Sequence, residues 1–415
     1  MKVDLFFVLG VFTQEICTGG VFSSKRQFID GGKRDRALWS ADSFVQLLVT
    51  LYSNYDLEGF RNTMESFADA QDESGYIPHM LPVLGEEVKI ALNLAGKLTF
   101  TEYQCWFIVQ IWEYFYFTGD LVWLRKMESS ISKAAEWLRG KRGDDGMIDL
   151  SYGIGGFFGD GSSWHTPDAT TGTVTHVNSL LAQTIDKYTK ILSILDLPIS
   201  SDWQTWHSTL LISINAKLWD SSRGVYLSTN PSFLHPDNIV HDAQIISILS
   251  DVADEGKKKS ILSYSESHLH RDYGILTTEE EISWPPSFFM FPFMSKYISP
   301  YYSFMELYAR LEKTTCDQSC GEFIVNRIKK WWGHMINKVE DGYSTTFWEK
   351  IDENGEPEAY HQTKMPVSYT SLAHGWSAGP VYLLSRIILG VKPLSPGIKF
   401  YNPIYFYGHY FFRKN

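Results

Sequence analysis

The chain has 415 residues, enough to bury one large core, and carries 37 basic against 48 acidic side chains, a formal charge of −11. Its basic residues gather only in short pieces such as Lys257-Lys258-Lys259 and Lys329-Lys330, which argues against nucleic acid or an anionic membrane as partner. Four cysteines are too few for a disulfide scaffold, and no stretch reaches the roughly 18 to 20 apolar residues of a transmembrane helix.

The first helical spacing runs over residues 5–17; with Asp4 in its charged start and no small-residue cleavage site behind it, it does not read as a signal peptide. Helical spacing then recurs over 42–55, 57–71, 102–118, 120–139, 176–194, 199–220, 240–252, 256–269, 297–311, 319–337 and 371–389, while strand-like alternation is scarce. Very short joints at Tyr55-Asp56, Gly119-Asp120 and Asp196-Leu197-Pro198 force neighbouring helices antiparallel. Six such hairpins of about sixty residues close into a ring of inner and outer helices. The expected fold is therefore all-α, an (α/α)6 barrel over residues 1–392. An open solenoid would repeat a common motif, and the hairpins share none. From Pro393 the pattern changes to alternating aromatics, as in Tyr405-Phe406-Tyr407, so residues 393–415 read as the start of an incomplete C-terminal β-segment.

Between the helices, residues 18–41, 72–101, 140–175, 270–296 and 340–370 form connections longer than about fifteen residues, a length at which loops are usually functional or disordered. They carry Trp, Gly, Asp and His rather than a disordered composition, and in a barrel of hairpins they gather over one mouth to build a cleft. Aromatic residues make up 15% of the chain, including 14 Trp, a surplus that suits stacking of sugar rings. Cys316 and Cys320 can pair in an oxidising compartment; His334, the nearest histidine, stands at no zinc-site spacing, and no metal or cofactor is expected.

Two acidic constellations stand out. The first, Asp30-Gly31-Gly32-Lys33-Arg34-Asp35-Arg36-Ala37-Leu38-Trp39-Ser40-Ala41-Asp42, interleaves carboxylates with arginines, which tune each other's charge, and sets a tryptophan beside them. The second, Thr345-Thr346-Phe347-Trp348-Glu349, ends a hydroxyl-rich apolar run on a carboxylate. Together they supply what glycoside hydrolysis needs, an acid for the leaving oxygen and a carboxylate on the opposite face of the ring. Their separation in sequence is no obstacle, since the first and last hairpins of a closed ring are neighbours.

Asp30-x-x-x-Arg34-Asp35-x-x-x-Trp39-x-x-Asp42 resembles the acidic signature of the α-L-rhamnosidases of glycoside hydrolase family 78, which have the six-hairpin fold. Ile298-Ser299-Pro300, Glu306-Leu307, Trp332-Gly333-His334-Met335, Thr345 to Glu349 and Ser371-Leu372-Ala373-His374-Gly375-Trp376 resemble the same family in the same order. The resemblance implies an inverting hydrolase of terminal α-L-rhamnosides, a carbohydrate partner and secretion. Glu349 would be the general base, and Asp30, Arg34, Trp39, Asp42 and His374 would hold the sugar. The family's acid is usually a Glu after Arg-Asp, whereas this chain has Arg34-Asp35-Arg36. Counting back from Trp39 and Asp42 places Asp35 on the acid position; counting forward from Arg34 places Arg36 there. Arginine cannot donate a proton at useful pH, so Asp35 is the expected acid.

Gly159-Asp160-Gly161-Ser162-Ser163-Trp164 resembles the family's Gly-Asp-Trp loop, so Asp160 and Trp164 are expected to line the cleft, with Trp284 walling the sugar subsite. Two other readings compete: a six-hairpin glycosidase of another specificity, such as an unsaturated uronide hydrolase, and a non-catalytic carbohydrate binder. The Asp35/Arg36 departure favours the binder, as does the want of the flanking β-domains that family members carry. A barrel without those flanks is expected to expose apolar surface.

Overall fold

The computed structural model describes residues 3–19, 25–33, 36–82, 99–150, 160–161, 172–230, 238–280, 296–338, 343–357 and 370–397. Among them the chain forms α1 (Val3–Ile16), α2 (Ser43–Leu51), α3 (Leu57–Asp69), α4 (Thr101–Thr118), α5 (Leu121–Arg139), α6 (Thr175–Ile194), α7 (Ser201–Lys217), α8 (His241–Leu249), α9 (Glu255–His268), α10 (Pro300–Lys313), α11 (Gln318–Asn337) and α12 (Pro380–Leu384). A 3-10 turn, Gly375–Ala378, leads into α12, and a π-helical turn, Ser385–Leu389, continues it.

The even-numbered helices pack side by side in the order α2, α4, α6, α8, α10, α12, and α12 with its leading turn returns to α2. The odd-numbered helices pack outside them: α3 on α2, α5 on α4 and α6, α7 on α6, α9 on α8, α11 on α10 and α12, and α1 across α12 and α2. The all-α (α/α)6 barrel expected from the sequence is thus the observed fold. Burial sorts the two rings. Every residue of α2 and of α8 is buried, whereas α5 buries one stripe, Trp123, Leu124, Met127, Ile131, Ala134, Ala135 and Leu138, at the spacing of a helix with one wet face. On α1 the residues Leu5, Val8, Phe12 and Ile16 remain exposed, an apolar stripe on the outside of the barrel.

Short joints link the inner helices α2, α4, α6, α8 and α10 each to the next outer one at one end. The long connections all return from an outer helix to the start of an inner one, and so share the other end. A sixth, 218–240, joins the five seen in the sequence. These six connections are tied to one another in a circle. Leu38–Trp39 pairs with Met80–Leu81, Thr99–Phe100 with Asp160–Gly161, and Thr173–Val174 with Thr229–Asn230. Single bridges continue through Val240 and Thr278, Ile298 and Ile351, and finally Gly31 and His374. That last bridge joins the first connection to the last and closes the mouth.

A second device seats each connection on its inner helix. The fourth residue of α2, Gln46, donates to the Ile29 carbonyl at 2.7 Å. At the same position, Gln104 of α4 grips both backbone groups of Ile77, Asn178 of α6 those of Ile148 (2.8 and 3.0 Å), and Gln244 of α8 those of Tyr226 (2.9 and 2.6 Å). In α10 the Ser303 hydroxyl accepts from the Ile275 amide at 3.0 Å. Three of the gripped residues follow a glycine at left-handed φ, in Gly75-Tyr76-Ile77, Gly146-Met147-Ile148 and Gly224-Val225-Tyr226. The hairpins therefore do share a motif, contrary to the expectation above. It is short because only the turn and the grip are common, while the packing faces differ.

The sequence placed the last helix over 371–389, yet Ser371 to His374 are not helical. Their backbone is committed to neighbouring segments, with Glu349 N donating to Ser371 O and His374 N to Phe347 O, so the helix starts only afterwards. Cys316 and Cys320 form a disulfide across the start of α11, and Cys17 and Cys105 are buried and free. No helix among the described residues is long and apolar enough to cross a membrane. Of the β-segment expected over 393–415, residues 393–397 are described, as a single bridge residue, bends and a turn, and the rest lies outside the described residues.

Candidate active site

Ring closure brings the two acidic constellations together. Glu349 N donates to Ser371 O at 2.9 Å, and Ser371 N returns a hydrogen bond to Glu349 Oε2 at 3.0 Å. On the far side of this segment, Gly32 N donates to Ala373 O at 2.8 Å and Gly375 N to Asp30 O at 2.9 Å. Segment 371–375 thus lies between Glu349 and the Asp30 region. Gly31 makes the approach possible, because a Cβ there would stand 2.7 Å from Ser371 Oγ and 2.8 Å from His374 Nδ1.

Asp30 is 3% exposed and ties the neck of the first acidic loop: its N donates to Ala37 O at 3.1 Å, and its Oδ1 accepts from Ala37 N at 3.0 Å. The loop between these ties carries Arg34 and Asp35, which lie outside the described residues. Arg36, held at φ +49°, donates from Nε to Gly32 O at 3.2 Å and so turns back onto its own loop.

Asp42 stands at the start of α2, with Oδ1 3.4 Å from His374 Nε2. Burial raises its pKa, His374 opposes that rise, and the charge of Glu349 adds to it. Asp42 and Glu349 therefore sense each other's charge across the site. Trp39 leans on His79 and Tyr103, at centroid distances of 5.7 and 6.1 Å, and His79 packs on Phe100 at 4.4 Å. Burial pushes the His79 pKa down to about 4, so it is a neutral member of an aromatic wall. The structure thus groups five of the expected site residues, Asp30, Trp39, Asp42, Glu349 and His374, at one side of the mouth.

Asp160 lies opposite Thr99 in a parallel pair immediately before α4, which sets its backbone on the rim. Trp164 and Trp284 lie outside the described residues. Among the described residues, no group of three or more His, Cys, Asp or Glu is arranged to hold a metal ion.

Sequence reasoning missed a row of groups that continues around the mouth. Glu102 opens α4, His176 opens α6, Asp242 opens α8 and Tyr301-Tyr302 open α10; all are buried. Tyr302 donates to Asp242 Oδ2 at 3.3 Å, while Trp376 packs between His374 (4.2 Å) and Tyr301 (5.6 Å). Each residue taken alone reads as an ordinary helix start. The available signal was their shared place, the first turn after a long connection. The helix ends support the arrangement. Outer helices α5, α7, α9 and α11 are capped by the side chains of Asp120, Ser200, Asp254 and Asp317 and outer α3 is not; of the inner helices, α10 is capped by Ser299, while α2, α4, α6 and α8 have no side-chain cap. Their open N-termini set a positive field at the mouth that favours carboxylates there. Such a rim of acceptors beside an aromatic wall can bind a polyhydroxylated ring, and Glu349 can take a proton from water.

Residues 20–278 match the family described as bacterial alpha-L-rhamnosidase 6 hairpin glycosidase domain. No curated protein matches the chain. Among solved structures it resembles a family 78 rhamnosidase of Bacillus sp. GL1, with a TM-score of 0.70 and 19% identity over 95% of this chain and 36% of that one. A Klebsiella oxytoca rhamnosidase with rhamnose bound gives 0.67 and 18% over 92% and 63%. A family 63 mannosylglycerate hydrolase from Thermus thermophilus, in complex with Tris and D-glycerate, gives 0.60 and 11% over 92% of this chain and 100% of that one. The chain therefore spans only part of the two rhamnosidases, and these likenesses are of fold.

Proposed function

Because the chain belongs to the bacterial α-L-rhamnosidase six-hairpin glycosidase family, we propose that it hydrolyses a terminal α-L-rhamnoside with inversion at the anomeric carbon. Asp35 protonates the leaving oxygen. Glu349 takes the proton of a water attacking from the opposite face, a pairing that in inverting enzymes needs carboxyl groups roughly 6.5–9.5 Å apart to admit that water. The observation that carries this reading is the seat of Glu349. It is buried, oriented by the Ser371 amide, and joined through one intervening segment to the neck of the loop that bears Asp35. Asp42, His374 and Trp39 hold the sugar together with Asp30, Arg34, Asp160, Trp164 and Trp284.

The test is hydrolysis of p-nitrophenyl α-L-rhamnoside by the full chain, with the product anomer followed by NMR. Asp35→Asn and Glu349→Gln should each lower turnover by about a thousandfold, the range of general acid or base catalysis, and the first product should be the β-anomer. Turnover of another aryl glycoside in its place would move the specificity, as within a fold that also serves a mannosylglycerate hydrolase. Rhamnose binding without turnover would support the binder reading, which the Arg36 departure favours.

A further inference from the structure

Glu102, His176 and Asp242 take no part in the chemistry above, yet they stand in the first turns of α4, α6 and α8, at the mouth end of the ring. His176 is 1% exposed; its Nδ1 lies 3.5 Å from Asp242 Oδ2, and its Nε2 lies 3.7 Å from Glu102 Oε2. Neither ring nitrogen makes a hydrogen bond, and Glu102 Oε2 makes none, although all three atoms are buried. Buried polar atoms of a purely structural cluster are normally paired. The Glu306 carboxylate shows the contrast, with His241 Nε2 and His270 Nε2 each 2.9 Å from one of its oxygens. The His176 ring and Glu102 Oε2 are held just short of such closure.

The same trio borders the sugar side of the mouth. Tyr301 feels the charges of Glu102, Asp42 and Asp242 together, and Tyr103 those of Asp42, Glu102 and Asp30. So many carboxylates around two phenols repel one another unless a cation stands among them. His176 is placed to be that cation. Burial works against its charged form, but Asp242 on α8 and Glu102 on α4 more than offset it and raise its pKa; among the described residues these are the charged groups that act on it.

We propose that Glu102 and Asp242 form a hydroxyl-accepting subsite at the floor of the mouth, and that His176, set between them, is the positioning residue that bridges them and offsets their charge. The subsite rests on the carbohydrate reading above. An ionised carboxylate only accepts, so it pairs with the hydroxyl donors of a sugar ring. The charged bridge is complete below the His176 pKa and is lost as pH rises through it, leaving two unneutralised carboxylates on the floor.

Calorimetric binding of L-rhamnose to the full chain across pH 5 to 9, beside His176→Gln and Glu102→Gln, tests this together with NMR titration of the histidine rings. The wild type should bind best near pH 6 and weaken towards pH 9. His176→Gln should bind about tenfold more weakly at pH 6, with the alkaline loss gone, and Glu102→Gln should be similarly weakened and should lower the His176 pKa in the NMR titration. Folded variants that match the wild type in affinity and pH slope overturn the subsite while leaving the carbohydrate reading in place. A wild type that binds no rhamnose at any pH overturns the carbohydrate reading and the subsite with it, and the NMR titration then reports separately whether the His176 bridge exists.

Discussion

Glu306 in α10 and Asp42 before α2 are both buried carboxylates, yet their environments move their protons in opposite directions. Burial alone would raise the Glu306 pKa; Arg310, His241 and His270 reverse that and hold it well below the usual range. Its oxygens accept from Ser265, His241, His270 and Arg310, which binds in a fork at 3.0 and 2.8 Å. Asp42 has His374 at 3.4 Å, and Glu349 repels it, so burial wins and its pKa is raised. A carboxylate that joins α8, α9 and α10 is given every partner it can use. One that lines the mouth is left short of partners, which is the state of a group reserved for a ligand.

The largest test of this contrast is Glu306→Gln. Removing the charge takes the buried partner from Arg310, which keeps the more exposed Glu266 at 2.8 Å, and from His241 and His270, and the expected loss is about 3 kcal/mol in urea unfolding. A loss below about 1 kcal/mol, the value of a surface pair, would mean that the cluster does not brace the wall.

Gly31→Ala should cost roughly 1–3 kcal/mol, because the added methyl meets Ser371 Oγ and His374 Nδ1. It should also weaken sugar binding, since the same contact seats His374 and, through Ser371, Glu349. Stability lost with binding intact would separate ring closure from site geometry.

Asp42→Asn has the smallest expected effect and the opposite sign. It relieves a buried charge, so stability should rise by on the order of 1 kcal/mol while sugar binding falls. Acid titration of stability sharpens the pair. The Glu306 contribution is present above its unfolded pKa and disappears as pH falls towards its depressed folded value. The cost of ionised Asp42 is present above its raised folded pKa and disappears as pH falls towards 3.8. Differences of wild type from Glu306→Gln and from Asp42→Asn should both shrink in acid, from opposite starting signs; a difference that grows in acid breaks the assignment for that residue.

Much of the fold was legible in the residues. The outer stripe Trp123, Met127, Ile131, Ala134 and Leu138 repeats at helical spacing, and the brief joint Gly119-Asp120 turns the chain back. Of the site, Asp30, Trp39, Asp42, Glu349 and His374 were legible because they cluster in sequence or carry a family resemblance. Glu102, His176 and Asp242 were not, because each is a single residue at a helix start and their shared position has meaning only once the helices form a ring.

By itself, the sequence determined the periods of the twelve helices, the antiparallel hairpins and the location of two acidic loops, since these depend on neighbours within a few residues along the chain. Tertiary structure alone decided which hairpins meet, because the Gly31–His374 bridge joins residues of the first and last connections. It also decided the charge of the buried groups. Glu306 and Asp42 carry the same functional group; Glu306 finds Arg310 four residues on in its own helix, but His241 and His270 for Glu306, and His374 and Glu349 for Asp42, reach them only across many intervening residues.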